Sequence, residues 1–209
     1  MTGSTPDFIH RYVPSPSGDS TTLLLLHGTG GNEQSMLALG GEIAPGAALL
    51  SPRGKVLEGV YPRFFRRKAE GVFDIEDLIA RTHELADWIA AASKEFHFAM
   101  ESLVVVGYSN GANMAASILL LRPEVLRRAV LFRAMLPLQP EHLPNLAGTQ
   151  VLMVSGKVDP IIPLTLAESL AKLLKACGAQ VTFDLQPADH TLTDADVSLA
   201  REWVSKISK

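Results

Sequence analysis

The chain has 209 residues, 47% of them hydrophobic, and a formal net charge of −3. That length and apolar content suffice for one sizeable core, and the near-neutral balance excludes a general electrostatic attraction to nucleic acid or anionic membranes. A single cysteine, Cys177, excludes an internal disulfide and suits a reducing compartment.

The N-terminus, Met1-Thr-Gly-Ser-Thr-Pro-Asp7, has neither a basic start nor an apolar core, so it does not read as a secretory signal. The apolar runs Leu23–Leu26, Leu103–Val106 and Ile118–Leu121 are four residues each, against the roughly 20 that a membrane span needs. These features point to a soluble, cytoplasmic protein with no membrane or nucleic-acid partner. Cys177 falls late in an apolar helical pattern and reads as buried filler rather than a nucleophile.

Residues 1–209 carry no repeat, low-complexity tract or long charge run, and read as one domain. Short apolar runs at Thr22–Leu26, Ala48–Ser51, Leu103–Tyr108, Ala129–Phe132, Gln150–Ser155 and Val181–Gln186 predict strands. Their lack of alternation fits a parallel sheet covered on both faces. Between them lie helical patterns. Asp74 is placed to cap a helix with Ile75, Leu78, Ile79, Leu85 and Ile89 as its apolar positions. A second helix follows Ser109 and stops before Pro123. A third carries Leu166, Leu170, Leu173 and Leu174 and ends at Gly178. Thr193 is placed to cap a fourth, with Asp196 in its first turn and Val197, Ala200, Trp203, Val204 and Ile207 as its stripe. This alternation predicts an α/β fold, a doubly wound, mainly parallel sheet with helices on both faces. The chain is too short for a separate cap domain, so the expected pocket is shallow or open.

The most informative segment is Leu103-Val-Val-Val-Gly-Tyr-Ser-Asn-Gly111. It places G-x-S-x-G where a strand pattern becomes a helix pattern. A serine on such a turn projects its hydroxyl above the sheet, and the crowded backbone requires small residues two positions either side. The new helix also points its first N–H groups at the place where an oxyanion would form. A serine hydroxyl needs a base, and the base needs an orienting group. Asp159 follows the Val151–Val154 strand and His190 follows the Val181–Gln186 strand, in the chain order serine, acid, histidine. His142, the other downstream histidine, lies among prolines after an earlier strand. Asp189 is a rival acid, but an immediate neighbour rarely reaches round to orient its own histidine. Ser109, Asp159 and His190 are therefore the candidate catalytic residues.

The Leu23–Leu26 strand runs into His27-Gly-Thr-Gly-Gly-Asn32, a glycine-rich turn able to present backbone donors to a developing negative charge. The expected oxyanion-hole donors are the N–H groups of Thr29 and Asn110, with His27 bracing the loop through its ring nitrogens. The turn lacks the ending of a phosphate-binding loop, and no metal-ligand pattern is present, so no cofactor and no metal are expected.

With these segments assembled, the chain resembles the small phospholipase/carboxylesterase branch of the α/β-hydrolases, which includes acyl-protein thioesterases. The resemblance spans nearly the whole chain. It is carried by Leu26-His-Gly-Thr-Gly-Gly-Asn-Glu33, Gly107-Tyr-Ser-Asn-Gly-Ala-Asn113, Gly156-Lys-Val-Asp-Pro160 and His190-Thr-Leu-Thr193. Ser51-Pro-Arg-Gly-Lys-Val-Leu57 and Pro62-Arg-Phe-Phe-Arg-Arg-Lys-Ala-Glu-Gly71 look like the bacterial subgroup associated with hydroquinone resistance. The resemblance implies a cofactor-free esterase, often a homodimer, whose partner is a small-molecule ester of small or medium acyl length. Two departures stand out. Asp189 replaces the glycine usual before the histidine, where it either raises the basicity of His190 or faces solvent. Asn110 replaces a common glutamine, a change that touches specificity more readily than mechanism.

The Tyr61–Lys68 segment is expected over the site edge. There Phe64 and Phe65 would line an acyl or aryl pocket, and Arg63, Arg66 or Arg67 would pair with an acidic substrate group. The alternative is a solvated basic loop with its aromatics in the core. Arg133, just past the Ala129–Phe132 strand, is a further substrate-binding candidate. The leading expectation is a serine carboxylesterase. Alternatives are a thioesterase or lysophospholipase, a dienelactone or carbon–carbon bond hydrolase of aromatic breakdown, and a non-catalytic binding module on the same fold.

Overall fold

The computed structural model of the chain describes residues 7–207. The segment 1–6, read above as lacking signal features, lies outside them. Six parallel strands form most of a seven-stranded sheet: β2 (Thr22–Leu26), β3 (Ala48–Pro52), β8 (Leu103–Tyr108), β9 (Arg128–Phe132), β10 (Gln150–Gly156) and β11 (Gln180–Gln186). With an edge strand β1 (His10–Val13) added, the order is β1-β3-β2-β8-β9-β10-β11. β1 pairs antiparallel with β3. The sequence pattern does not announce β1, because its residues alternate between half-buried and exposed and include a histidine and an arginine. Two small ribbons, β4 (Val56–Glu58) with β5 (Tyr61–Arg63) and β6 (Arg67–Ala69) with β7 (Val72–Phe73), fold the basic segment over the sheet.

Because successive strand residues face opposite ways, each strand feeds two cores. Leu24, Leu26, Val105, Val151 and Met153 point to one face, under α2 (Ile75–Glu95), α3 (Asn110–Leu121) and α4 (Leu164–Ala176). Leu23, Leu25, Val104, Val106, Leu152 and Val154 point to the other, under α1 (Leu37–Ile43) and α5 (Asp194–Ile207). α1 carries Gly40 and Gly41 and lacks a clear apolar stripe, which hides it in the sequence.

Asp74 caps α2, its side chain accepting from Asp77 N at 3.2 Å. Leu78, Leu85 and Ile89 are buried as the pattern requires, but Ile75 and Ile79 stand exposed, and Thr82, Ala86 and Trp88 take the inward positions. Thr193 and Asp196 cap α5 reciprocally: Thr193 N donates to Asp196 Oδ2 at 2.7 Å, and Asp196 N to Thr193 Oγ1 at 3.4 Å. Among the described residues no helix is long and apolar enough to cross a membrane.

β2 and β8 are neighbours, while their continuations run in opposite directions across the sheet. This is the topological switch at which open α/β sheets bind ligands, beyond the carboxyl ends of the strands. The loops after β2, β8, β10 and β11 all emerge at that edge.

Candidate active site

Ser109 sits between β8 and α3 with φ 51° and ψ −112°, a left-handed conformation that costs a non-glycine residue energy. The packing around it explains the flanking glycines. A Cβ on Gly111 would collide with the backbone carbonyl of Leu26, and one on Gly107 would lie 2.7 Å from Ala112 Cα. The turn is held by Ser109 N donating to Phe132 O at 2.9 Å and by Asn113 N donating to Ser109 O at 2.9 Å.

Above the sheet, Ser109 Oγ lies 3.0 Å from His190 Nε2, and His190 Nδ1 lies 2.8 Å from Asp159 Oδ2. The other Asp159 oxygen accepts from the backbone N–H of Ile161 at 2.8 Å and of Ile162 at 2.9 Å. With its side chain 1% exposed, Asp159 is held in one orientation, its Oδ2 toward the imidazole. Asp189 does not compete. It is exposed, its carboxylate accepts from Thr191 N at 2.7 Å, and that bond holds it below the usual carboxylate range.

The glycine-rich loop after β2 is braced from within. His27, fully buried, donates from Nδ1 to Gly28 O at 2.7 Å and accepts at Nε2 from Gly54 N at 2.9 Å. Those partners define a neutral imidazole, and burial lowers its pKa from the ordinary 6.5. Glu33 reinforces the brace with two bonds from Arg53, at 2.5 and 2.8 Å. Among the described residues, neither the Thr29 N–H nor the Asn110 N–H donates a hydrogen bond.

Two cavities meet at Ser109, and a third adjoins them across Thr29 and Tyr108. A cleft of about 350 Å³ runs past Thr29, Tyr108, Ser109 and His190. A groove of about 410 Å³ opens beside it, bounded by Met36, Leu39, Tyr108, Thr191 and Leu192. A recess of only about 40 Å³ is bounded by Arg63, Phe73, Ser109, Asn110, Asn113 and Met135.

The expected substrate-binding residues divide. Arg63 borders the recess, and its side chain is 3% exposed. Phe64 and Phe65 do not face these cavities. They are buried in the core, Phe64 against the His27 ring at 4.7 Å and Phe65 edge-on to Phe73 at 5.0 Å. Hydrophobic burial and aromatic packing win over exposure in the loop. Arg66 is exposed and reaches Asp74 and Asp77.

Arg133 departs furthest from expectation. It is fully buried rather than at the site edge, with φ 55°. Its guanidinium pairs with Asp196 at 2.7 and 3.1 Å and donates to Asp189 O at 2.9 Å and Thr191 O at 2.8 Å, the carbonyls flanking His190. Tyr108 adds a bond from its hydroxyl to His190 O at 3.0 Å. Tyr108 and Asp196 are support residues that sequence reasoning does not isolate as such. Thr193 and Asp196 were legible only as a helix cap.

The sheet order, the serine turn and the serine–histidine–aspartate contact define an α/β-hydrolase site. The family model for phospholipases and carboxylesterases matches residues 65–208, and the chain belongs to that family. MhqD of Bacillus subtilis strain 168, which carries a hydrolase name, is 44% identical over 193 residues, 92% of this chain and 96% of its own. The crystal structure of a Bacillus cereus carboxylesterase is similar with TM-score 0.92 and 44% identity, over 96% of this chain and 94% of that one. A Mesorhizobium loti carboxylesterase follows at TM-score 0.89 and 31% identity, covering 95% and 94%. The protein is thus an ester hydrolase of the carboxylesterase type.

Proposed function

We propose that the protein hydrolyses carboxylic esters through an acyl-enzyme formed on Ser109. The observation that carries this reading is the unbroken contact Ser109 Oγ to His190 Nε2 to Asp159 Oδ2, at 3.0 and 2.8 Å, inside an open cleft.

Ser109 Oγ attacks the ester carbonyl while His190 Nε2 takes its proton. The carbonyl oxygen becomes an oxyanion, which the Thr29 and Asn110 N–H groups receive; one such donor is worth ~3–4 kcal/mol in the barrier. His190 then gives its proton to the departing alkoxide, the C–O bond breaks, and the alcohol leaves. Water, deprotonated by the same imidazole, attacks the acyl-enzyme and releases the acid and the free serine. Asp159 holds Nδ1–H toward itself and stabilises the imidazolium that forms in both halves.

The test is turnover of p-nitrophenyl acetate. Wild type is expected to hydrolyse it with a Ser109→Ala loss of at least about a thousandfold in kcat. Equal rates in the two proteins would remove Ser109 from the mechanism.

A further inference from the structure

The recess beside Ser109 holds a cation that the hydrolysis of a plain ester does not use. Arg63 Nε donates to Phe65 O at 3.2 Å, and Nη1 donates to Thr29 Oγ1 at 2.7 Å and lies 3.3 Å from Glu58. Its Nη2 donates no hydrogen bond among the described residues. Glu58 does not neutralise Arg63 alone, because it is also gripped by Arg67 through bonds of 2.8, 3.0 and 3.1 Å. Two guanidiniums therefore share one carboxylate. Burial and the nearby Arg67 push the Arg63 pKa down. Glu70 stands exposed at the recess mouth, where solvent screens it far more than it screens the buried Arg63. Asn110, whose Nδ2 is buried without a partner, borders the same recess.

The proposed mechanism sets which half of the ester goes where. The proton on His190 Nε2 must reach the leaving oxygen, so the alcohol lies toward the His190 loop. The 410 Å³ groove, bounded by Thr191, Leu192, Met36 and Leu39, opens on that side and is largely apolar. The recess is bounded by the first turn of α3 and by Met135, with no residue of the His190 loop, so it faces the acyl half. Its 40 Å³ holds roughly three to four non-hydrogen atoms, at ~10–15 Å³ for each water-sized group. A carboxylate on one methylene fills that space and can accept a charge-assisted hydrogen bond from the free Nη2 of Arg63, whereas a phosphate is too large.

Building on the triad reading, we propose that the recess binds a short acyl group ending in a carboxylate. The favoured substrates are then half-esters of small dicarboxylic acids with an apolar alcohol.

The experiment compares kcat/KM for monobenzyl malonate and benzyl isovalerate, which share an alcohol and have acyl groups of the same branching and atom count. Fluorophosphonate labelling of Ser109 is run alongside as a separate check on the nucleophile. Wild type is expected to prefer the malonate half-ester by about tenfold or more, the size of one charge-assisted hydrogen bond. Arg63→Met is expected to bring that ratio to one or below, and Arg63→Lys to keep part of it. Free malonate is expected to inhibit benzyl acetate hydrolysis by wild type at least tenfold better than isovalerate does, which needs no variant.

A wild-type ratio of one or less, or a ratio that survives Arg63→Met, overturns the proposal. Turnover of neither ester with Ser109 labelled overturns the recess assignment alone. Turnover of neither with no labelling overturns the triad reading as well.

Discussion

Arg133 and Asp196 form an ion pair with both side chains fully buried, and the same guanidinium binds the carbonyls on either side of His190. The pair therefore joins β9 to the start of α5 and fixes the loop that carries the imidazole. The left-handed φ of Arg133 is part of its cost, and Arg133 N donating to Val154 O at 2.9 Å holds it there.

Removing one partner of a buried pair leaves an uncompensated charge and costs about 3–5 kcal/mol. Arg133→Met is expected to lower unfolding free energy by that amount in urea titration. A loss of scaffold alone would leave the folded fraction with normal kinetics. The Arg133 contacts predict instead that kcat of the folded variant falls while KM stays near wild type, since the imidazole is misplaced and the substrate cavities are not.

Asp159→Asn keeps the shape of the site but no longer favours Nδ1–H on His190. The expected result is a fall in kcat of about 10³–10⁴ with little change in thermal unfolding. A loss below tenfold would mean that another group orients the imidazole.

Asn110 Oδ1 accepts from Phe64 N at 2.8 Å, tying the basic segment to the serine turn. Asn110→Ala buries that N–H without an acceptor, and stability is expected to drop by about 1–3 kcal/mol in denaturant unfolding. The fall should come with an unchanged m-value, because the fold itself is kept.

His27 gives the protein an acid sensitivity at a milder pH than its carboxylates. Its folded pKa is lowered, first by burial and also by Arg53, while the Gly28 carbonyl and Glu33 oppose the shift. The stabilisation is therefore complete above the unfolded value near 6.5 and is lost as pH falls below it toward the folded value. Glu33 and Glu58, lowered from 4.5 by their arginine partners, lose their contribution only below that. Scanning calorimetry should show Tm declining already as pH falls below 6.5, ahead of the carboxylate range, with a flatter profile there in His27→Asn.

The parts of this molecule legible in its sequence are those encoded locally. The six core strands, the Asp74 and Thr193 caps, and the serine turn each rest on residues within a few positions of one another. The order Ser109, Asp159, His190 was readable because each follows a strand. Arg133 was not, because its partners in the His190 loop and α5 lie 56 to 63 residues away and only the fold shows that they surround it. For Phe64 and Phe65 the sequence offers both a pocket and the core, because the choice depends on His27 and Phe73, brought in by the loop after β2 and by a two-residue strand. The ribbons β4–β5 and β6–β7 are too short to leave a periodic signal.

The proposed mechanism requires Ser109 to be an activated nucleophile. Intact mass after treatment with a fluorophosphonate probe tests it most directly, on wild type and Ser109→Ala. The triad geometry predicts a single adduct on wild type and none on the variant. A folded wild type that takes no adduct, or an adduct that persists in Ser109→Ala, would contradict it.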